Sequence, residues 1–177
     1  MNRALFLDRD GVINKNLGYV HTKDQFIFID GIFELGKAAF KKKYKIIVIT
    51  NQSGIGRGYY SEDDFHSLSK WMSEKFKNNG VLIDRIFFSP FHPTEAKGSY
   101  LKDDYSRKPN PGMIIEAKKE YDLDLQGSIL IGDSISDIQA GINAGVGRNI
   151  LFNKDKRLNK EIKAQRVDSL LEAIKYL

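Results

Sequence analysis

Cysteine is absent from this 177-residue chain, which excludes disulfides, a thiol nucleophile and any metal site built on thiolates. No apolar run is long enough to span a bilayer, and Met1 to Phe6 lacks the charged and apolar regions of a secretory signal. A cytoplasmic location without membrane contact is therefore expected. Internal repeats, low-complexity tracts and linkers are also missing, so a second domain has nowhere to begin. With 41% hydrophobic residues, residues 1–177 read as one domain around one core, a monomer by default. Basic residues outnumber acidic ones, 28 to 23, a surplus open to nucleic acid or to an anionic substrate. Much of it sits in Lys154, Lys156, Arg157, Lys160 and Lys163, which read as a solvated segment.

What is present alternates between two periodicities. Ala4–Leu7, Lys45–Thr50, Asp84–Ser89, Ser128–Gly132 and Asn149–Phe152 are short apolar runs with strand character. Between them, Ile32–Lys43 has helical spacing, and Ser61–Asn79 opens with a capping box, Ser61 with Asp64, before Gly80. A further helix is predicted from Pro111 with Asn110 as its cap, another over Ser136–Ala144, and a last one over Asp168–Tyr176. Strands alternating with helices imply right-handed crossovers and an α/β fold, a doubly wound, Rossmann-like parallel sheet covered on both faces. In such folds ligands bind beyond the carboxyl ends of the strands.

Those ends carry the chemistry. The first strand runs into Asp8-Arg9-Asp10-Gly11, two carboxylates two residues apart. Like charges so close call for a cation, and oxygen ligands suit Mg²⁺. Asp133, in Gly132-Asp133-Ser134-Ile135-Ser136-Asp137, completes that site from the fourth strand, while Asp137 is open to a capping role or a water-mediated metal contact. The second strand ends in Thr50-Asn51-Gln52-Ser53-Gly54, whose hydroxyl, amide and backbone donors can hold phosphate oxygens. Lys108, in Arg107-Lys108-Pro109, can reach the same edge and neutralise a phosphate.

Taken in order, these four motifs resemble the haloacid dehalogenase superfamily of aspartate-nucleophile phosphatases over nearly the whole chain. The resemblance implies that Asp8 attacks phosphorus, that Asp10 protonates the leaving oxygen and then activates water, and that Thr50 and Lys108 stabilise the transferring group. It also implies Mg²⁺ held by Asp8, the backbone carbonyl of Asp10 and Asp133. Asn16-Leu17-Gly18-Tyr19-Val20-His21, Thr50 to Gly58 and Arg107 to Met113 are similar to the heptose bisphosphate phosphatases, which act on a small phosphorylated sugar on the route to surface polysaccharide. By that resemblance Asn16, Gly18, Tyr19, Asn51, Gln52, Ser53 and Arg107 contact substrate, with Arg107 placed to pair with the second phosphate. Arg57 is open to a structural role in its turn.

One stretch departs from that family, which usually places three cysteines and a histidine around a structural zinc. Here those positions read Ser89, Phe91, Asp104 and Ser106, so no structural zinc is expected. The loop is expected to be held by packing of Phe91, Tyr100 and Tyr105. Asp8 to Thr50 and Thr50 to Lys108 are too short for a large cap domain. Histidinol-phosphate phosphatase is the nearest alternative activity, followed by a polynucleotide 3′-phosphatase, against which the lack of an aromatic-rich basic groove argues. A non-enzymatic phospho-acceptor module would carry similar aspartate, threonine and lysine residues, but Asp10 favours turnover.

Overall fold

The computed structural model describes residues 1–153 and 163–177; Lys154, Lys156, Arg157 and Lys160 lie outside the described residues. Among the described residues six strands, β1 (Arg3–Leu7), β2 (Tyr44–Asn51), β3 (Arg85–Ser89), β4 (Ile129–Gly132), β5 (Arg148–Phe152) and β6 (Gln165–Val167), form one sheet in the order β3-β2-β1-β4-β5-β6. All five pairings are parallel. Leu5 lies opposite Ile46 on one side and Ile129 on the other. The chain winds outward from β1 to β3, returns to β4 and winds the other way. The reversal therefore falls between β1 and β4, where a doubly wound sheet opens its ligand crevice.

Strand periodicity decides which helix meets which face. Leu5, Leu7, Ile46, Val48 and Ile131 pack with α1 (Ile32–Lys41), α3 (Glu62–Asn78) and α6 (Leu170–Ala173) through residues such as Leu35, Met72, Phe76 and Leu170. The alternate residues Ala4, Phe6, Ile47, Ile49 and Leu130 pack with Met113, Ile114 and Ala117 of α4 (Gly112–Tyr121) and with Ile138 of α5 (Ile135–Ala144). A one-residue slip in β1 would exchange the two sets, so the pattern pins the register.

The predicted strands and the longer helices are present, with differences that have local causes. Helix α1 stops at Lys41 because Lys43 adopts a left-handed φ of 62° in the turn to β2. Asn110 does not cap α4: Pro111 occupies the N-cap position without a side-chain bond, and Asn110 Nδ2 donates to Asp104 O at 3.2 Å. Helix α5 begins at Ile135 because Ser134 and Asp137 form its capping box. The terminal helix is shorter than predicted, with α6 followed by a 3₁₀ turn over Ile174–Tyr176. Among the described residues three elements were not anticipated, one of them a 3₁₀ turn over Gly98–Tyr100. Strand β6 has three residues, of which only Val167 is buried, so it offers no alternation to read. Helix α2 (Ser53–Arg57) contains two glycines, which local propensity disfavours; Ile55 anchors it in a small cluster with Tyr60 and Phe65.

Candidate active site

Strands β1 and β4 deliver their following residues to the reversal point. Asp8, directly after β1, is buried, and its Oδ1 accepts from Lys108 Nζ at 2.8 Å. The same ammonium reaches Asp137 Oδ1 at 2.5 Å and donates to Ile49 O at 3.0 Å. A lysine has three N–H donors, so every one of them is placed. Asp137 Oδ2 accepts from Ser134 N at 3.0 Å, giving that carboxylate both the capping role and a buried ion pair. Asp8, Asp133 and Asp137 each offer an oxygen within 4.8 Å of the others. Gly11, with φ of +103°, lets the chain turn past them; a Cβ there would lie 2.0 Å from Asp133 Oδ2.

Three carboxylates share one ammonium, and the titration of the group records the shortage of positive charge. Burial and then Asp137 raise the Asp8 carboxyl well above its usual range, with Lys108 opposing. Burial and Asp137 push Asp133 up to about 7. For Lys108, burial would lower the ammonium, but Asp137 and Asp8 outweigh it and hold it charged. Adding a divalent cation would relieve the same imbalance, and an all-oxygen donor set is what Mg²⁺ takes.

Asp10 stands in a different environment, surrounded by donors. Arg9 Nη2 bonds its Oδ1 at 3.0 Å and Arg9 Nε its Oδ2 at 3.1 Å. Asn14 Nδ2 adds a bond to Oδ1 at 2.9 Å, and Gln52 Nε2 one to Oδ2 at 3.0 Å. Arg9 is only 1% exposed, and also donates to Val20 O at 2.6 Å. Neither Arg9 nor Asn14 was singled out from sequence; an arginine between two aspartates was the available signal, because a buried guanidinium needs such a partner.

Thr50 ends its buried run beside them, and Gln52 Nε2 donates to its Oγ1 at 2.8 Å. The structure thus brings Asp8, Asp10, Thr50, Lys108 and Asp133 to one edge of the sheet. Two residues expected to contact substrate are placed otherwise. Gln52 is buried, its amide committed to Asp10, Thr50 and Tyr60. Asn51 clamps the backbone of Lys108, donating to its carbonyl and accepting from its N–H, both at 3.0 Å. Asn16, Gly18 and Tyr19 lie in an exposed loop, where Gly18 N donates to Asn16 Oδ1 at 3.2 Å. The Tyr19 ring meets Tyr59 at 4.7 Å and the Arg57 guanidinium at 5.7 Å. Ser53 opens α2 and is half-buried. Arg107 donates to Phe91 O at 3.0 Å, and burial and then Arg57 lower its pKa, so two guanidiniums bear on one region.

In the Ser89–Ser106 loop, three of the four positions noted above are bonded to one another. Ser106 Oγ lies 3.0 Å from Ser89 Oγ and 2.6 Å from Asp104 Oδ1, and Lys102 Nζ pairs with Asp104 Oδ2 at 2.9 Å. The same lysine sits 4.2 Å above the Phe91 ring, which lies 6.0 Å from Tyr100. Phe91 and Tyr100 therefore pack as expected, whereas Tyr105 is 61% exposed and does not. Polar bonding supplies what its ring was expected to. Ser89 is fully buried, so Ser106→Ala should leave its hydroxyl unpaired and cost about 1–2 kcal/mol of stability. Chemical denaturation of the two proteins measures this; an unchanged midpoint would mean that the hydroxyl cluster does not hold the loop.

Comparison with known proteins identifies the family and the fold. The HAD-hydrolase-like family model matches residues 105–174. The chain is 57% identical to the D-glycero-alpha-D-manno-heptose-1,7-bisphosphate 7-phosphatase of Burkholderia mallei, covering 85% of this chain and 80% of the relative. It is 44% identical to the D-glycero-beta-D-manno-heptose-1,7-bisphosphate 7-phosphatase of Haemophilus influenzae, covering 91% and 87%. The crystal structure of the D,D-heptose 1,7-bisphosphate phosphatase of B. bronchiseptica, complexed with magnesium and phosphate, superimposes with a TM-score of 0.84 at 26% identity, over 98% of this chain and 97% of that one.

Proposed function

The chain belongs to the D-glycero-D-manno-heptose-1,7-bisphosphate 7-phosphatase family of haloacid dehalogenase-like hydrolases, and from that premise we propose that it removes the 7-phosphate of the heptose bisphosphate with the aid of Mg²⁺. The observation that carries this reading is the contrast between two neighbouring aspartates. Asp8 faces an ammonium and two further carboxylates, while the Asp10 carboxylate accepts bonds from Arg9, Asn14 and Gln52. Environments this different suit one carboxylate to attack and the other to handle protons.

In the first half-reaction an Asp8 oxygen forms a bond to phosphorus as the bond to the sugar oxygen breaks, and Asp10 gives that oxygen a proton. In the second, Asp10 takes a proton from water, whose oxygen attacks the aspartyl phosphate; inorganic phosphate leaves and Asp8 is restored. Lys108 offsets charge on the transferring group, and the Thr50 hydroxyl donates to it. Asp8, Asp133 and the Asp10 carbonyl would hold Mg²⁺, which when bound offsets the repulsion between carboxylate and phosphate. Arg107 would bind the second phosphate and the Asn16–Tyr19 loop the sugar. The hydroxyl and carboxylate cluster at Ser89, Asp104 and Ser106, positions that the resemblance gives to zinc ligands, supports the reading that the loop carries no structural zinc.

The enzyme would work as a cytoplasmic monomer in surface-polysaccharide heptose synthesis, without nucleic acid or membrane; among the described residues no helix is long and apolar enough to cross one. Its relatives divide between the two anomers. Phosphate release should therefore be compared on both anomers of the bisphosphate, on histidinol phosphate and on a 3′-phosphorylated oligonucleotide, each with Mg²⁺. One bisphosphate anomer should give the highest kcat/KM; a preference for either of the other compounds would overturn the substrate assignment.

A further inference from the structure

We propose that Tyr60 is a positioning residue of this phosphatase, setting the Gln52 amide and through it the Asp10 carboxylate and the Thr50 hydroxyl; the inference rests on the functional reading above. Tyr60 acts through Gln52 rather than on phosphate itself. Its hydroxyl donates to Gln52 Oε1 at 2.5 Å. The other end of that amide carries two hydrogens, and both are used, on Asp10 Oδ2 at 3.0 Å and on Thr50 Oγ1 at 2.8 Å. Gln52 is 2% exposed and Tyr60 8%.

The orientation matters because an amide has a donor end and an acceptor end. Rotated by half a turn, Gln52 would press its oxygen on the Asp10 carboxylate, acceptor against acceptor. With a donor at Oε1 the present arrangement is satisfied at every atom. It also leaves the single hydrogen of Thr50 free to point at a phosphoryl oxygen, because Gln52 already supplies the bond between them. Burial pushes the Tyr60 phenol up to about 12, with Arg9 opposing and Asp10 adding, so it stays an O–H donor at neutral pH.

The ring is itself held from two sides. His21 stacks on it at 5.0 Å with an interplanar angle of 1°. Gly54 packs so closely that a Cβ there would lie 2.2 Å from Tyr60 Cε1. His21 Nδ1 lies 2.7 Å from Tyr19 O, so the ring that orients the amide also supports the exposed loop.

Two leaving groups separate positioning from mere packing. A sugar oxygen needs a proton from Asp10 as it departs, whereas p-nitrophenolate leaves as a stable anion. Tyr60→Phe keeps the ring and removes only the hydroxyl. With Mg²⁺ present, it should lower kcat on the preferred sugar phosphate roughly 10- to 30-fold, a part of the roughly 10²- to 10⁴-fold that general acid–base catalysis supplies. The change in KM should stay within about twofold, and single-turnover release of p-nitrophenolate, which precedes the water step that needs Asp10 with either substrate, should be only about threefold slower, the share that passes through Thr50. Gln52→Met should show the same bias, and the double variant should be no slower than Gln52→Met alone. Equal losses on the two substrates, or additive losses in the double variant, would overturn the inference. A wild-type enzyme inactive on sugar phosphates would instead overturn the functional reading, which keeps the two failures apart.

Discussion

Replacing Asp8 with asparagine should lower phosphate release by about 10⁴-fold or more, the scale seen when a nucleophile is removed, without loss of the fold. Asparagine has nearly the shape of aspartate, but its amide is a far poorer nucleophile and cannot form the acyl phosphate. Stability should move the other way. Without metal, Asp8 is crowded by burial and by Asp137 and Asp133, which hold its folded pKa above the unfolded value. A carboxyl shifted upward binds its proton more tightly in the folded state, so the stability it contributes is present at low pH and is lost as pH rises through the folded pKa. The asparagine variant has no such loss. In EDTA, its unfolding temperature relative to the wild type should therefore be higher at pH 8 than at pH 5. Scanning calorimetry at the two pH values checks this, and phosphate release near the parental rate would remove Asp8 as nucleophile.

The parts of this molecule that were legible beforehand share one physical origin. Apolar side chains must alternate between the faces of a covered sheet, so Leu5 and Leu7 separate from Ala4 and Phe6, and the strands announce themselves. Because parallel strands all point one way, whatever follows each strand gathers at one edge, and Asp8, Thr50 and Asp133 could be placed together without coordinates. What stayed hidden depends on side-chain direction. Nothing in Thr50-Asn51-Gln52 says that Asn51 turns to the Lys108 backbone while Gln52 turns inward to Asp10. Both were read as substrate contacts from the family resemblance, with short polar groups at a strand end as the local support. Tyr60 left no sign at all, since one aromatic after a glycine-rich turn is indistinguishable from ordinary core. Strand β6 and helix α2 escaped for a related reason, being too short for any periodicity and stabilised by what they pack against.

Lys108→Met should be the other severe substitution, because it removes the one positive charge that, among the described residues, pairs with this group of three carboxylates. The lysine is 4% exposed and bonds Asp8, Asp137 and Ile49 O. Taking one partner from a buried ion cluster typically costs about 3–5 kcal/mol, here reduced because the stranded carboxyls can take up protons. A fall of about 2–3 kcal/mol at pH 8 in EDTA corresponds to roughly 5–10 °C for a chain of this size. Asp8 and Asp133 already have raised folded pKa values, and losing the ammonium that opposes that rise lifts them further. Stability lost by the variant at pH 8 should thus return toward pH 5 as these groups protonate. Mg²⁺ should raise its unfolding temperature by more than that of the wild type, since the bound cation would then be the main counter-charge. Activity should remain about 10³-fold down even at saturating Mg²⁺, because the metal cannot replace the fixed positive charge that holds Asp8 and offsets the charge of the transferring group. A variant with wild-type stability at pH 8 and a rate within tenfold of the parent would show that the Lys108 ammonium neither neutralises this cluster nor serves the reaction.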